Sequence, residues 1–323
     1  MKKKFVMEHR PLSRRHDSPN TNGWLDVTHR LIIKAIKAVS ISLLIASCTR
    51  TTVPIVPTAV ATDGIPQVNP TPLIISTFEP SGVYAVVGIL EGEVLALRNP
   101  AGITGSIVEE LAYDARGITA TGNVANLGSS IWMEIQTPDG SRGWVNSLNM
   151  TEDVNQEQFC QDARALLVLD HSLHSIQNRD GELLSQIVNP RRGLIIRHDW
   201  WNPEVIVPAD SVSGIFDDLH ELEWGLLSGG EFKIQGSFKD VILPLLEDTI
   251  LDSPEAVCGE LPSGTTSRPA LWPTEYTSIN YYAIHRPASE GGNDFDWRTW
   301  AFGFEYIDGQ PFLTLIIHFH GDV

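Results

Sequence analysis

The residues best suited to chemistry are histidines close to residue 320. His318 and His320 lie two apart in an apolar segment, so on a β-strand their imidazoles would point to the same face. His285 would join them if its strand pairs beside theirs, and three imidazoles can hold zinc. Isolated histidines on a solvent-facing sheet would have the same spacing. We favour this second interpretation and predict no metal and no cofactor.

A second group of residues suggests contact with carbohydrate. Trp200-Trp201 and Asp296-Trp297-Arg298 combine indole rings with nearby charges. Adjacent strand residues face opposite sides, so one of Trp200 and Trp201 would be exposed. Four nearby carboxylates could supply the acid pair of a glycosidase: Asp199, Glu204, Asp294 and Asp296. Because acidic residues are abundant throughout this chain, we favour binding over hydrolysis.

The first 48 residues indicate where such chemistry would take place. Nine lysines and arginines precede Cys48 against three acidic residues, and a mainly apolar stretch covers residues 38–48. A bilayer-spanning helix needs about 20 apolar residues, so this stretch is too short to remain as one. The segment Leu44-Ile45-Ala46-Ser47-Cys48 resembles a bacterial lipoprotein signal. The resemblance implies removal of residues 1–47, a lipid on Cys48 and an extracytoplasmic location, anchored to the bacterial cell membrane. An uncleaved signal anchor is the alternative.

Removal of this segment makes the protein strongly acidic. The whole chain has 23 basic and 40 acidic residues and a formal charge of −17. The chain from Cys48 onward keeps 14 basic and 37 acidic residues, which gives a formal charge of −23. Such a surface repels phosphate backbones and anionic headgroups. We therefore expect no nucleic acid partner, and attachment to the membrane through the lipid alone.

The cysteines allow a disulfide bond or a nucleophile. Once Cys48 carries lipid, Cys160 and Cys258 remain as an even pair, which an oxidising compartment would join across a loop of about 100 residues. Two buried thiols are the alternative. Neither cysteine lies in the Asp-Cys-Ser-Gly signature of cell-wall cysteine peptidases, and no Gly-X-Ser-X-Gly elbow occurs. We assign no catalytic residue, and the sequence leans against an enzyme without deciding the matter.

Composition divides the remainder into a tether and two folded domains. Residues 48–82 are rich in Thr, Pro, Val and Ala, which favours an extended tether of up to about 3.1 Å per residue. In residues 83–150, short apolar runs alternate with Gly, Pro and Asn every 8–12 residues or so, which predicts a small all-β barrel. Pro138-Asp139-Gly140 predicts a tight turn that makes residues 131–135 and 143–145 antiparallel neighbours.

The predicted barrel also resembles a known family. The residues that carry the resemblance are Leu95-Ala96-Leu97-Arg98-Asn99-Pro100-Ala101-Gly102, Trp132 and Gly143-Trp144-Val145. They stand where bacterial Src-homology-three-like domains have their Leu/Arg loop, their hairpin and their closing signature. The resemblance implies binding of cell-wall peptide or another envelope ligand, or orientation of a neighbouring domain. Trp132 and Trp144 would then line a ligand groove, although aromatics in so small a barrel more often belong to its core.

Residues 154–323 are predicted to form an α+β domain. Periodicity predicts helices at residues 158–169, 181–188 and 238–251, and strands at 193–198, 204–207, 279–285, 297–307 and 312–320. Helices followed by an antiparallel meander suit an α+β fold, such as a cone-shaped sheet of the nuclear-transport-factor-like kind.

The last hairpin has a predicted register. Asp308-Gly309 favours a two-residue type I′ turn, so that Ile307 faces Gln310. In every later pair of facing residues, the two residue numbers then add up to 617. Trp300, Phe302 and Phe304 would share a buried apolar face, with His318 and His320 on the opposite, mixed face.

These observations predict a multi-domain, lipid-anchored envelope protein that acts as a non-catalytic binding or scaffold module. Its expected partner is peptidoglycan, through cell-wall peptide or glycan, or another envelope component. The alternative is a cell-wall hydrolase that cleaves glycosidic or peptide bonds, with its site in residues 154–323.

Overall fold

The described part of the chain is mostly β, with a curled antiparallel sheet and a few helices. The computed structural model describes residues 82–227, 229–252 and 255–321. The predicted signal peptide (1–47), the lipid site Cys48 and the predicted tether up to residue 81 lie outside these residues and stay predictions. Among the residues described, no helix is long and apolar enough to cross a bilayer.

The N-terminal sheet has seven described strands, each antiparallel to its neighbours. The strands are β1 (Val83–Val86), β2 (Val94–Asn99), β3 (Ser106–Ala112), β4 (Ile118–Leu127), β5 (Ser130–Gln136), β6 (Arg142–Asn146) and β7 (Met150–Glu152). Their order across the sheet is β3-β2-β6-β5-β4-β1-β7. The sheet curls around an apolar core that includes Leu97, Ile118 and Ile135.

The predicted hairpin between β5 and β6 is confirmed. Met133 pairs with Val145, and Ile135 pairs with Gly143. The Gly140 amide donates to the Thr137 carbonyl at 3.0 Å, and Gly140 has a φ of 93°. Glycine suits this position because L side chains rarely adopt a positive φ.

In the second part of the chain, three helices are followed by four strands, two helices and four further strands. Its helices are α1 (Gln156–Gln161), α2 (Ala163–Asn178), α3 (Gly181–Ile187), α4 (Phe238–Val241) and α5 (Leu243–Asp252). Its strands are β8 (Leu194–Arg197), β9 (Val205–Val207), β10 (Leu222–Leu226), β11 (Lys233–Gly236), β12 (Ala256–Cys258), β13 (Asn280–Arg286), β14 (Arg298–Ile307) and β15 (Gln310–His320). Each predicted helix and strand has a counterpart, whereas the β10–β11 hairpin and β12 were not predicted.

Two of the predicted helices are divided for local reasons. Asp162 separates α1 from α2, because its carboxylate accepts the Arg164 amide at 2.9 Å and so caps the start of α2. The predicted helix at residues 238–251 is divided at Ile242, two residues before Pro244. Proline has no amide hydrogen to donate and is tolerated only in the first turn of a helix, which is its position in α5.

Six strands of the second part form a mixed sheet in the order β12-β13-β14-β15-β8-β9. β13, β14 and β15 form the predicted antiparallel meander, and β8 lies parallel to β15. Helices α2 and α5 cover one face, where Trp300, Phe302 and Phe304 are buried as predicted.

A β-bulge changes the predicted register of the last hairpin. Phe304 pairs with Leu313, as predicted, but Gly303 pairs with Leu315. From Gly303 onward the two residue numbers of each pair add up to 618 and not to 617. Thr314 is the additional residue of the bulge, and its hydroxyl accepts a hydrogen bond from Asn189 Nδ2 at 3.1 Å. The predicted separation of Trp300 from His318 is therefore wrong. These two residues are direct cross-strand partners, and their rings stack with centroids 4.7 Å apart.

The prediction that one face of this sheet is mixed and open is also wrong. The face opposite the helices packs into a second apolar cluster that includes Ile195, Tyr276, Leu315 and Phe319. Val87, which directly follows β1 of the N-terminal sheet, belongs to the same cluster. The residues described thus fall in one compact unit, in which the N-terminal sheet packs directly on the second sheet.

The predicted disulfide is present. Cys160 of α1 is bonded to Cys258 of β12, with Cα atoms 5.8 Å apart and a sequence separation of 98. The bond connects the first helix of the second part to the edge of its sheet.

Candidate functional site

The parallel pair β8 and β15 brings two remote segments together at the carboxyl ends of these strands. Ile317 pairs with Arg197, so His318 follows on one strand and His198 on the other. Because side chains alternate along a strand, the two histidines point to the helix-covered face and Arg197 to the opposite face. Two clusters of polar residues therefore lie beside these strand ends, one on each face.

The first cluster surrounds the carboxylate of Asp199, which is 1% exposed. Its Oδ2 lies 2.7 Å from His198 Nδ1. Its Oδ1 lies 2.8 Å from His320 Nε2 and 3.4 Å from His318 Nδ1. We call Asp199, His198, His318 and His320 the histidine cluster.

A tight turn after β8 positions Asp199. The Asn202 amide donates to the Asp199 carbonyl at 2.8 Å, and Asn202 Nδ2 lies 3.3 Å from Asp199 Oδ2. The Asn202 side chain also accepts from the Leu226 amide at 3.0 Å and donates to the Leu226 carbonyl at 3.2 Å. Strand β10 thereby fixes the turn, and a Cβ on Gly225 would collide with Asn202 at 2.3 Å.

The environment of the histidine cluster sets its charges. Burial opposes ionisation of Asp199, but hydrogen bonds from His198, His318 and His320 outweigh it and hold the pKa of this carboxyl far below its usual range. Burial lowers the pKa of His318 to about 4, although the neighbouring Asp199 opposes this shift. At neutral pH the cluster therefore holds an ionised carboxylate beside a neutral His318.

The histidine cluster borders a cleft of about 500 Å³. His198, His318 and His320 line one side, and Trp297, Asp296 and Arg298 line another. Asp296 Oδ1 lies 3.2 Å from Arg286 Nη2 and 3.6 Å from Arg298 Nη2, so ion pairs hold this second side. The cleft can admit a small ligand to the buried histidines.

The second cluster centres on Arg197, on the opposite face of the sheet. Its Nη2 donates to Glu204 at 3.0 Å and to Glu275 at 2.5 Å, and its Nη1 donates to the Trp200 carbonyl at 3.1 Å. The Tyr276 hydroxyl also bonds to Glu204. The pKa of the Tyr276 phenol is raised well above its ordinary value. Burial is the largest cause and the negative charge of Glu204 is the next.

An aromatic groove of about 410 Å³ opens beside this second cluster. We use this name for the space that is lined by Arg197, Trp200, Trp201, Leu271, Trp272, Pro273, Thr274 and Glu275. Trp200 and Trp201 meet edge to face at 5.7 Å, and Trp272 stacks on Tyr281 at 4.1 Å. The indoles thus have fixed orientations around a groove with a charged base.

The structure separates several residues that the sequence suggested together. His285 does not join His318 and His320, because it lies on the other face of the sheet, where its Nδ1 contacts Thr299 Oγ1 at 2.8 Å. The candidate acid pair is also divided, since Asp199 belongs to the histidine cluster, Glu204 binds Arg197 and Asp296 binds arginines.

The predicted groove aromatics of the N-terminal sheet share one face of β5 and β6. Trp132 is only 5% exposed and donates from Nε1 to Ser130 Oγ at 3.1 Å, whereas Trp144 is half-buried. A separate groove of about 320 Å³ opens on this sheet along Val124, Ile131 and Met133 and does not include either tryptophan. The ligand groove at Trp132 and Trp144 stays a prediction.

Sequence reasoning missed His198 and Arg197. The available signal was the polar sequence Arg197-His198-Asp199 directly after the apolar run Leu194-Ile195-Ile196, which marks polar side chains at the end of a buried strand. It could not be used without knowledge that β8 lies beside β15, 120 residues away in sequence.

Comparison with protein-family models, with curated proteins and with solved structures finds no match. We therefore infer the chemistry of the candidate site from its geometry alone.

Proposed function

We propose that this protein is a lipid-anchored envelope protein that binds cell-wall glycan in the aromatic groove. The observation that carries the proposal is the arrangement of Trp200, Trp201 and Trp272 around a groove whose base holds the Arg197–Glu275 ion pair. Indole faces accommodate the apolar faces of sugar rings, while fixed polar groups bind hydroxyls. Ligand sites commonly combine aromatic walls with a few oriented polar groups.

The fold assignments belong to the same proposal. We propose that residues 83–150 are a bacterial Src-homology-three-like barrel, which is supported by the antiparallel strand order and by the β5–β6 hairpin. We further propose that the second part has a cone-shaped sheet of the nuclear-transport-factor-like kind. Helices packed on an antiparallel meander support this proposal. In this view the barrel contacts peptide or orients the glycan-binding part.

The location rests on the N-terminal sequence and on the disulfide. The segment that ends at Cys48 resembles a lipoprotein signal, and disulfides persist mainly outside the cytoplasm. The charge of −23 from Cys48 onward leaves lipid as the expected means of attachment.

A sedimentation assay on purified cell-wall sacculi tests the proposal. The full-length protein should sediment with sacculi, and Trp201→Ala should weaken this binding about tenfold or more, equivalent to about 1.4 kcal/mol. Phe232→Ala is the matched control, because Phe232 is an aromatic residue with 68% exposure outside the groove. It should bind like the wild type.

Other results would change the assignment. Weakening by Trp144→Ala and not by Trp201→Ala would transfer the binding site to the N-terminal sheet. Failure of the wild type to sediment would reject the wall as ligand.

The histidine cluster favours one second candidate, a cell-wall hydrolase. Asp199 orients His198 in the manner of a carboxylate that supports a general base, and the cluster borders a cleft. Release of sugar or peptide from sacculi by the wild type, lost in Asp199→Asn, would establish this alternative. We expect no release.

A further inference from the structure

An apolar face of the N-terminal sheet extends beyond the core of that sheet. Ile135, Met133 and Ile131 alternate along β5 and therefore face the same side. Ile135 is fully buried in the core, Met133 is half-buried against it, and Ile131 is 50% exposed. Val124, the cross-strand partner of Met133 on β4, is 60% exposed. Met133, Ile131 and Val124 line the groove of about 320 Å³ on this sheet, which we call the β4–β5 groove.

The edge of β4 beside this groove has no partner strand within the described part of the chain. Strand β1 pairs with β4 only at Ile118 and Thr119, whereas residues 124–127 pair with β5 alone. An unpaired strand edge offers amide and carbonyl groups to a further extended segment. The open edge and the apolar groove together form one place where such a segment can bind.

The chain enters the sheet next to this open edge. The Ala120 amide donates to the Gly82 carbonyl at 3.3 Å, and Ala120 lines the β4–β5 groove. Gly82 is the first residue of the described ranges. An extended chain advances about 3.3 Å per residue, so the four residues that lead back from Gly82 to Phe78 reach about 13 Å. The same number of residues separates Ala120 from Val124 along β4, which places Phe78 within reach of the groove.

The sequence before Gly82 has the side chains that this groove would accept. Residues 73–78 read Leu-Ile-Ile-Ser-Thr-Phe, and Glu79 follows them. Arg191 lines the groove, is exposed and forms no salt bridge with another described residue. Glu134 also lines the groove, but Arg142 pairs with its carboxylate at 2.7 Å. Arg191 is therefore the charge at this groove that an acidic residue such as Glu79 would complement.

We propose that residues 73–79 of this chain occupy the β4–β5 groove, with Phe78 against Val124 and Ile131 and with Glu79 near Arg191. Removal of the Phe78 ring and of the exposed apolar groove surface from water favours this docking. The tether then consists of residues 48–72 and leaves the folded body at this groove. The proposal does not depend on glycan binding, because the aromatic groove belongs to the second part of the chain.

Hydrogen–deuterium exchange measured by mass spectrometry on the full-length protein tests this inference. The amides of residues 73–79 should exchange at least about tenfold more slowly than in a synthetic peptide of residues 70–82, because a docked segment must open before its amides exchange. Ile131→Asp places a charge in the groove and should abolish this protection.

Ile103→Asp is the matched control, since Ile103 is an isoleucine of the N-terminal part with 81% exposure outside the groove. It should keep the protection. Phe78→Ala changes the segment and not the sheet, and gives a second test if circular dichroism shows that the Ile131 variant fails to fold. It should also remove the protection.

Three results would overturn the proposal. The first is exchange of residues 73–79 in the wild type at the rate of the free peptide, which would leave the groove to another molecule. The second is protection that persists in the folded Ile131→Asp or Phe78→Ala variant. The third is protection that appears only as the protein concentration rises, which would assign the groove to a second copy of the chain.

Discussion

At the scale of single residues, polar side chains stabilise places where the regular pattern of the fold is broken. Glu134 lies opposite an irregularity in β4, where the pairing with β5 shifts between Ala120 and Val124. Its Oε2 accepts hydrogen bonds from Thr121 Oγ1 at 2.7 Å, Asn123 Nδ2 at 2.6 Å and Arg142 Nη2 at 2.7 Å. One carboxylate therefore joins three residues around the irregular segment.

These hydrogen bonds predict how stability depends on pH. The bond from Arg142, followed by those from Thr121 and Asn123, lowers the pKa of Glu134 from 4.5 to about 2. A carboxyl with a lowered pKa in the folded state contributes stability above the unfolded pKa, and this contribution is lost as pH falls through the folded pKa. Glu134→Gln should therefore lower the free energy of unfolding at pH 7, and its difference from the wild type should shrink between pH 4.5 and about 2.

Urea unfolding followed by circular dichroism across this pH range measures the difference. Arg142→Ala removes the largest cause of the shift and should show the same trend. A difference between Glu134→Gln and the wild type that is constant with pH would contradict the assigned role.

At the scale of elements, the bulge in the β14–β15 hairpin determines which side chains face the helices. Leu313 and Ile316 both pack against the helix-covered face, although strict alternation would place them on opposite faces. The alternation of side chains between the two faces shifts by one residue at Thr314, opposite Gly303. This shift brings His318 to the same face as Trp300. A bulge of this kind redirects side chains next to a site.

Gly303 is predicted to be required at this bulge. A Cβ at this position would lie 2.5 Å from Leu315 Cδ1 and 2.7 Å from Leu315 Cγ. Gly303→Ala should therefore lower the free energy of unfolding by about 1–3 kcal/mol, as overpacking of a core does. Gly214→Ala is the control, because a Cβ there meets nothing within 4 Å and its φ lies outside the left-handed region. Urea unfolding compares the variants, and equal stability of both would refute the prediction.

At the scale of the whole molecule, the two sheets behave as one packed body. The Gly88 amide donates to the Glu275 carbonyl at 2.8 Å, and Arg116 Nη1 lies 2.6 Å from Asp153 and bonds through Nη2 to the Thr277 carbonyl at 2.8 Å. Residues of the N-terminal sheet thereby contact the segment that also supplies Glu275 to the aromatic groove. Docking of the sheet and the shape of the groove are therefore coupled.

The disulfide should contribute strongly to the stability of this body. A cross-link that closes a loop of 98 residues restricts the unfolded chain, and the chain-entropy model sets its contribution at up to about 4.7 kcal/mol. The double variant Cys160→Ser, Cys258→Ser should lose about 2–4 kcal/mol in urea unfolding. The wild type with a reducing agent should approach the variant, and the variant itself should not respond to that agent. Equal stability with and without the bond would disprove this role.

The sequence by itself determined the features that depend on local pattern. Apolar periodicity located the helices and five of the eight described strands of the second part, Asp139-Gly140 and Asp308-Gly309 located two hairpins, and the cysteine count indicated the disulfide. Each of these follows from residues close together in the chain or from residue type alone. The location and the wall ligand remain predictions from the sequence.

The tertiary structure alone decided the register and the sites. The turn set the pairing as far as Phe304, but the bulge depends on Asn189, which binds Thr314 from 125 residues away. The histidine cluster likewise exists because β8 lies parallel to β15, which places His198 and Asp199 beside His318. Local patterns specify the alternation and the turns of a strand, whereas the choice of its neighbour depends on packing energies between remote segments, and that choice created the histidine cluster.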